Sequence, residues 1–138
     1  KKLTTFLNLS TIDARYVSSD EPAYDNKKVE LVPPVTVRTG LSVGNNKFSA
    51  SYQFSYVKEH YSDATNALTH PHGIVGLIPS YYVMDISLTY SMNKFQFEGG
   101  INNLTNRSYF TRRATGYPGP GIIPSPPRNF YIAAQIKL

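Results

Sequence analysis

The sequence predicts an all-β protein, an antiparallel up-and-down sheet of about six strands that forms a segment of a larger transmembrane β-barrel. Three observations predict it. Apolar and polar residues alternate along several segments, short and long connections alternate between those segments, and only 17% of the residues are charged. Alternation with a period of two indicates strands whose two faces meet different surroundings. The low charge suits an outer face that does not meet water.

The clearest strand is predicted over Tyr81–Met92, where every even position is apolar or aromatic and the odd positions are mostly small and polar. The next strand, Phe95–Asn102, repeats this pattern. Residues 47–58 and 129–138 alternate in the same way, and residues 35–43 do so more weakly.

The first strand is predicted over about residues 3–17, and its alternation is broken. Its leucines share one parity, whereas Phe6 and Ile12 share the other. A bulge near Ser10 would shift the register by one residue and reconcile the two halves. No segment of the chain has a convincing helical period.

The connections between strands predict how the sheet is oriented. Gly44-Asn45-Asn46 and Asn93-Lys94 are tight hairpin turns, whereas the connections over about residues 18–34, 59–80 and 105–127 are long. In an up-and-down sheet, strict alternation puts all short turns on one edge and all long loops on the other. Outer-membrane barrels have this asymmetry, with short periplasmic turns and long extracellular loops.

A soluble β-barrel or sandwich also has alternating strands and is the alternative fold. Three features favour the membrane. The polar faces carry few charges, Tyr82 and Tyr90 lie near opposite ends of one apolar face, and loops of about 20 residues are uncommon in compact soluble domains.

Composition excludes several classes of function. The chain has no cysteine, and no apolar run is long enough for a transmembrane helix. The basic residues are scattered, although the net charge is +5, so nucleic-acid binding is not predicted. The beginning of the chain has no apolar signal-peptide region, which predicts a mature form or an interior piece of an exported protein.

Residues 102–110, Asn-Asn-Leu-Thr-Asn-Arg-Ser-Tyr-Phe, resemble the motif that ends the penultimate strand of TonB-dependent outer-membrane receptors. The following Arg pair and Pro/Gly-rich run, up to residue 131, are similar to the ferric-dicitrate-type branch of that family. Residues 12–16 and 32–34 look like a strand end and a strand start in the family. The resemblance spans essentially the whole chain, although the family usually ends in Phe and this chain ends in Leu138.

The resemblance implies a barrel of about 22 strands that surrounds an N-terminal plug, with a short box that engages TonB. Residues 1–138 would then be the C-terminal portion of the barrel domain, without the plug and the earlier strands. The implied function is active uptake of ferric citrate or another siderophore across the bacterial outer membrane, with no catalysis and no cofactor. The implied partners are the rest of the receptor, TonB through the missing N-terminal part, outer-membrane lipid and lipopolysaccharide, and the ferric chelate. A small outer-membrane porin or adhesin-like barrel, or a soluble lipocalin-like binder, is the alternative function.

Arg112, Arg113 and Tyr117 in the last long loop are the predicted ligand-binding residues. A planar guanidinium binds carboxylates through two parallel hydrogen bonds, and ferric citrate is an anionic carboxylate complex. The alternative role of the two arginines is to satisfy loop carbonyls or to contact lipopolysaccharide phosphates.

Other polar clusters are not predicted to be sites. His70 and His72 flank a proline, and with His60 they lack the carboxylates or thiols of a metal site. Asp85 and Glu98 are expected to face the barrel lumen, paired with Arg38 or with the plug, because no hydrolase or nucleotide-binding motif accompanies them.

Overall fold

The structure is a computed structural model that describes residues 1–116 and 119–137. Its secondary structure, in chain order, is β1 (Lys2–Thr11), a 3-10 turn (Pro22–Tyr24), β2 (Val35–Gly44), β3 (Phe48–Val57), β4 (His60–Tyr61), β5 (Leu77–Ile78), β6 (Tyr81–Met92), β7 (Phe95–Asn102), β8 (Phe110–Ala114), β9 (Gly121–Pro124) and β10 (Asn129–Ile136). Among the described residues, no helix is both long and apolar enough to cross a membrane.

Six long strands form one antiparallel sheet in the order β1-β2-β3-β6-β7-β10. Tight turns join β2 to β3 and β6 to β7, and the other three connections are long. The predicted all-β, up-and-down architecture is therefore confirmed. The long connections are more ordered than the sequence predicted, because β4 pairs with β5 and β8 pairs with β9 inside them. Such ribbons give loop N–H and C=O groups the hydrogen-bond partners that they need.

The prediction for the first strand is wrong in two respects. The strand ends at Thr11, and its register with β2 runs without a bulge from Lys2 opposite Gly44 to Thr11 opposite Val35. Phe6 lies on the polar face, where its ring covers Gly40 of β2 so closely that a Cβ there would overlap it. An aromatic ring over a cross-strand glycine thus explains the broken parity, with no shift of register.

The same arrangement recurs at the other end of the sheet. Tyr131 of β10 lies opposite Gly100 of β7, and a Cβ on Gly100 would overlap the tyrosine ring. The Tyr131 hydroxyl donates a hydrogen bond of 2.8 Å to Oε1 of Glu98. These two aromatic residues cover glycine backbone on the polar face of the sheet, where Gly40 is buried and Gly100 is half-buried.

Gly40→Ala is expected to lower the free energy of unfolding by about 1–3 kcal/mol, because the new methyl group overlaps the Phe6 ring. The same change in a Phe6→Ala background should cost less, since the ring is absent. Equilibrium unfolding in detergent micelles gives the double-mutant cycle. Gly99→Ala is the matched control, because a Cβ there meets only ordinary contact with the Tyr131 carbonyl oxygen at 3.6 Å. Equal costs of Gly40→Ala in both backgrounds would contradict the packing.

The register separates the sheet into an apolar face and a polar face. One row across the apolar face consists of Leu3, Val43, Ala50, Leu88, Gly99 and Ile132. No residue of this face is charged in the described strands. The polar face carries Ser, Thr, Asn and Gln together with four charges, Lys2, Arg38, Asp85 and Glu98.

The apolar face is not covered by protein. Leu7 is 70% exposed and Ile132 is 90% exposed. Ile78 is the one hydrophobic residue that is fully buried in the described part of the chain, and it lies in the loop ribbon of β5. An exposed apolar face of this kind marks a surface that contacts a membrane or another protein.

Aromatic residues lie at both ends of the apolar face. Tyr56 and Tyr82 face each other near the long loops, and Phe48, Tyr90 and Phe97 form a row near the short turns. Tyr82 and Tyr90 are eight residues apart along β6, or about 26 Å. This spacing agrees with the two aromatic girdles that bound the apolar band of a membrane barrel.

Two threonines on the apolar face have their hydroxyl groups satisfied by backbone. Thr5 Oγ1 donates to the Gly40 carbonyl at 3.0 Å, and Thr39 Oγ1 donates to the Phe6 carbonyl at 2.8 Å. An unsatisfied hydroxyl would be costly in hydrocarbon, so these bonds suit a lipid-facing surface.

Candidate functional site

The three long connections form one layer at the same edge of the sheet. We name them loop A (residues 12–34), loop B (residues 58–80) and loop C (residues 103–128). Loops A and B are joined by Asn66, whose side chain accepts a hydrogen bond from Lys28 N at 2.7 Å and donates to Lys28 O at 2.8 Å. Lys27 Nζ also donates to the Thr65 carbonyl at 2.7 Å. Loop A is therefore fixed against loop B.

Within loop A, the Tyr16 hydroxyl donates a hydrogen bond of 2.6 Å to Oε2 of Glu30. This bond to a carboxylate, strengthened by partial burial and by the negative charge of Glu30, raises the pKa of Tyr16 above its ordinary value. The Tyr16–Glu30 bond contributes its full stabilisation of the fold below the unfolded-state pKa of the phenol, near 10. That stabilisation is lost as pH rises through the higher folded-state pKa. The two halves of loop A that carry Tyr16 and Glu30 thus remain linked at neutral pH.

Arg113, one of the predicted ligand-binding residues, joins loop C to loop B. Its Nη1 donates to the Gly73 carbonyl at 2.8 Å, and its Nη2 donates to the Leu77 carbonyl at 3.0 Å. The guanidinium also lies 5.1 Å from the centre of the Phe110 ring. Satisfying loop carbonyls was the alternative role of this arginine, and it accounts for these contacts. Ligand contact by Arg113 stays a prediction.

Arg112 has different surroundings, although it is the adjacent residue in β8. Its side chain is exposed, whereas Arg113 is half-buried. Arg112 borders an open depression of about 330 Å³, which is also lined by Arg113, Ala114, Thr115, Gly116 and Ile123. The exposed guanidinium can meet a ligand without breaking the contacts that hold loop C. Tyr117, the third predicted residue, lies outside the described residues.

The end of β7 contains a buried polar centre at Asn103, which is 3% exposed. Its backbone N–H donates to Oδ1 of Asp85 at 2.8 Å. Its side chain accepts from the Arg107 N–H at 2.8 Å and donates to the carbonyls of Arg107 and Pro126, at 2.9 and 3.4 Å. Asn103 has a φ of 51°, which Asn tolerates better than most residues. The centre joins β6, the start of loop C and the approach to β10.

A second asparagine of the same motif supports this centre. Asn106 also has a positive φ, of 52°, and its Oδ1 accepts a hydrogen bond from Arg128 N at 3.0 Å. Arg107, which follows Asn106 directly, places its guanidinium 5.3 Å from the centre of the Tyr82 ring. The sequence identified this motif only by resemblance. Its repeated asparagines at a strand end were the available sign of left-handed turns.

The three histidines do not converge. His60 is buried, and its Nδ1 lies 3.1 Å from the Lys58 carbonyl oxygen. The rings of His70 and His72 are 5.6 Å apart, and the His72 N–H donates to Nδ1 of His70. Across residues 1–116 and 119–137, no group of three or more His, Cys, Asp or Glu residues could hold a metal ion.

Asp85 and Glu98 lie on the polar face but far apart. Glu98 is opposite Thr89, which places it four residues from Asp85 along the strands, or about 13 Å. Carboxylates that act together in glycosidases are separated by about 5–9.5 Å. Arg15–Asp13 is the one ion pair among the described residues. The expected pairing of Asp85 or Glu98 with Arg38 is therefore not formed there. Pairing with the plug stays an expectation.

A sequence model of the family described as "TonB dependent receptor-like, beta-barrel" matches residues 2–104, well over half of the chain. No curated protein matches the chain by sequence. Among solved structures, the unliganded ferric citrate transporter FecA superposes with a TM-score of 0.87 at 15% identity, covering 97% of this chain and 21% of that one. The ferric yersiniabactin uptake receptor FyuA from Yersinia pestis gives 0.78 at 18% identity, covering 97% and 21%.

The copper transporter OprC has the same fold, with a TM-score of 0.74 at 16% identity, covering 99% of this chain and 21% of that one. The chain thus spans about a fifth of the length of these structures, and the low identities show the fold alone. Together with the match to residues 2–104, the six-stranded sheet and its exposed apolar face identify the chain as a member of the TonB-dependent receptor-like β-barrel family.

Proposed function

We propose that residues 1–138 are the C-terminal portion of a receptor barrel in the bacterial outer membrane, and that the complete receptor takes up a ferric chelate, ferric citrate or another siderophore. The chain supplies barrel wall and three extracellular loops and performs no bond chemistry. Its partners in this scheme are the remaining strands and the plug, TonB through the plug-bearing part, lipid and lipopolysaccharide, and the chelate.

The observation that carries the choice of ligand is the exposed guanidinium of Arg112 beside the depression in loop C. Arg113 holds loop C to loop B, so the loop that presents Arg112 is already ordered. A loop that is already ordered loses little conformational freedom when its arginine binds a carboxylate with two hydrogen bonds. An anionic chelate with carboxylate groups fits this arrangement. Because a ferric citrate transporter and a copper transporter share the fold, the fold itself does not select the ligand.

Two measurements test the proposal. The intact mass of the outer-membrane protein that contains this chain should be several times 15.4 kDa, the mass of the 138 residues. The purified protein should bind radiolabelled ferric citrate at equilibrium. A mass of 15.4 kDa would favour a small porin or adhesin-like barrel. A larger protein that does not bind ferric citrate but binds another chelate would contradict only the proposed ligand.

Arg112→Ala is expected to weaken ferric citrate binding about tenfold or more, which corresponds to losing a charged hydrogen bond of about 1.5–3 kcal/mol. Arg112→Lys should recover part of the affinity, since it keeps the charge but not the planar fork. Arg15→Ala is the matched control, because Arg15 is an exposed arginine of loop A that pairs with Asp13. Unchanged affinity in Arg112→Ala would remove this residue from the binding site.

A further inference from the structure

Lysine collects at the short-turn edge of the sheet. Four of the six sheet strands have a lysine at their end on this edge, and we name these residues the lysine rim: Lys2, Lys47, Lys94 and Lys137. All four side chains are exposed. No described residue of this edge is acidic, since Glu98 lies four positions from Lys94, or about 13 Å along the strand. The charged groups of the described edge are therefore all cationic.

The lysine rim belongs to the polar face. Lys2 lies within β1, at a polar-face position. The backbone ladder continues through the other rim positions, because the Lys47 carbonyl accepts from Ser91 N at 2.7 Å and the Lys94 carbonyl accepts from Lys137 N at 2.8 Å. Successive side chains of a strand point to opposite faces, and each rim lysine is adjacent to an apolar-face residue. The ammonium groups thus extend from the polar side of the sheet.

Two lysines of the rim face each other across neighbouring strands. Lys94 and Lys137 are directly opposite, and the next pair on the same face, Gln96 opposite Gln135, is neutral. Side chains in such a pair have their Cβ atoms about 4.5–5.5 Å apart, and like charges there destabilise a sheet. None of these four residues takes part in an ion pair within the part of the chain that the structure describes. The position therefore favours an anion from outside these residues.

A depression of about 760 Å³ lies beside the other two rim lysines. Lys2 and Lys47 border it together with Lys1, and its lining on the polar face includes small side chains, Thr4, Ser42, Gly44 and Ser49. Its volume is within the range of about 300–1,000 Å³ that is typical of ligand sites. Hydroxyl groups can donate to a carboxylate, and ammonium groups strengthen such contacts by their charge. The depression suits an occupant that carries carboxylates.

We propose that the lysine rim binds an acidic segment of the receptor's own polypeptide, from the plug-bearing part that lies outside residues 1–138. One carboxylate of the segment lies between Lys94 and Lys137, and another lies over the depression between Lys2 and Lys47. This inference rests on the proposed receptor barrel, in which the polar face is the inner face. Short turns of such barrels face the periplasm, so the segment lies at the periplasmic mouth of the barrel.

The spacing of the lysines favours a polypeptide segment over a small anion. The rim extends from β1 to β10, which is five strand spacings, or about 24 Å. A small chelate can neutralise one end of the rim at a time, whereas a segment that crosses the mouth can place a carboxylate at both ends. The two positions also give the segment a register, because its acidic residues must be spaced to meet both of them.

Carbodiimide crosslinking of the full-length receptor, purified from outer membranes, tests the proposal, because this reagent joins an amine to a carboxylate that contacts it. Mass spectrometry of the digested protein should find Lys94 or Lys137 joined to an Asp or Glu outside residues 1–138. Lys58, an exposed lysine at the long-loop edge, is the matched control and should give no such link. Raising the salt from about 0.1 M to about 1 M should lower the yield of the links about threefold or more, since the Debye length falls from about 10 Å to about 3 Å.

Two double variants separate charge from reactivity. Lys94→Gln/Lys137→Gln should abolish the links and speed proteinase K cleavage outside residues 1–138 by up to about fivefold, the effect of losing an exposed ion pair. Lys94→Arg/Lys137→Arg should also lose the links, because a guanidinium does not couple, but it should keep the native cleavage rate. Equal cleavage rates in the Gln and Arg variants would contradict a role of the charge.

The proposal is overturned if Lys94 and Lys137 link to nothing, to carboxylates within residues 1–138 only, or to another protein. If the Gln variant does not fold, the salt series on the native receptor decides, because links that do not respond to salt are not due to exposed charges. An intact mass of 15.4 kDa contradicts the proposed receptor itself, whereas a longer receptor without these links contradicts only this inference.

Discussion

Ile86→Lys is expected to lower the stability of the membrane-inserted protein by about 2–4 kcal/mol. Ile86 lies on the apolar face, opposite Tyr52 of β3 and Ile101 of β7. It is four residues from each of the two tyrosines Tyr82 and Tyr90, so in the proposed membrane barrel it lies near the bilayer midplane. An ammonium group at that depth has no water and no partner, and its cost is greatest there.

Gln53→Lys is the matched control, because it introduces the same charge on the polar face of the neighbouring strand. Gln53 is exposed and lies opposite Asp85, whose carboxylate offers a partner. We expect a change within about 0.5 kcal/mol. Reversible urea unfolding in lipid vesicles, followed by the mobility difference between folded and unfolded protein in gels, measures both variants. Similar losses in the two variants would show that the sheet does not present opposite faces to lipid and water.

Asn103→Ala is expected to lower the free energy of unfolding by about 2–4 kcal/mol. The change removes three side-chain hydrogen bonds at a site that is 3% exposed, and it leaves the backbone N–H of Arg107 without its acceptor in the protein. It also forces alanine into a left-handed backbone with φ of 51°.

Asn103→Gly separates the two contributions, because glycine adopts positive φ without strain but makes none of the side-chain bonds. The glycine variant should therefore be more stable than the alanine variant by about 1 kcal/mol and less stable than the native protein. Chemical unfolding in micelles gives both differences, and the Asn103→Ala protein should also lose protease resistance in loop C. An Asn103→Ala protein as stable as the native one would exclude Asn103 as the centre that joins β6, loop C and β10.

Much of the fold could be predicted because strand patterns are local. The strands predicted from alternation over Tyr81–Met92 and Phe95–Asn102 begin and end at the same residues in the structure. Alternation predicts them well because successive side chains of a strand lie on opposite faces. The final strand, predicted over residues 129–138, ends at Ile136, and Leu138 lies outside the described residues. Phe6 was misleading because an aromatic residue is placed on the polar face there by its contact with Gly40. Gly40 is 34 positions away on another strand, so the pattern of β1 alone does not reveal this contact.

The site was less predictable because loop contacts are not periodic. Arg112 and Arg113 are chemically identical in the sequence, yet Gly73 and Leu77 of loop B engage only Arg113.

The sequence by itself determined that the chain is an all-β sheet with an apolar face, short turns on one edge and long loops on the other, because period-two alternation and connection length depend on neighbouring residues only. Tertiary structure decided what the loops do. It made Asn103 a buried polar centre and Arg113 a link between loops B and C, and it left Arg112 exposed. These roles depend on backbone carbonyls and side chains that are distant in the sequence, and only the folded loops bring them within hydrogen-bond distance.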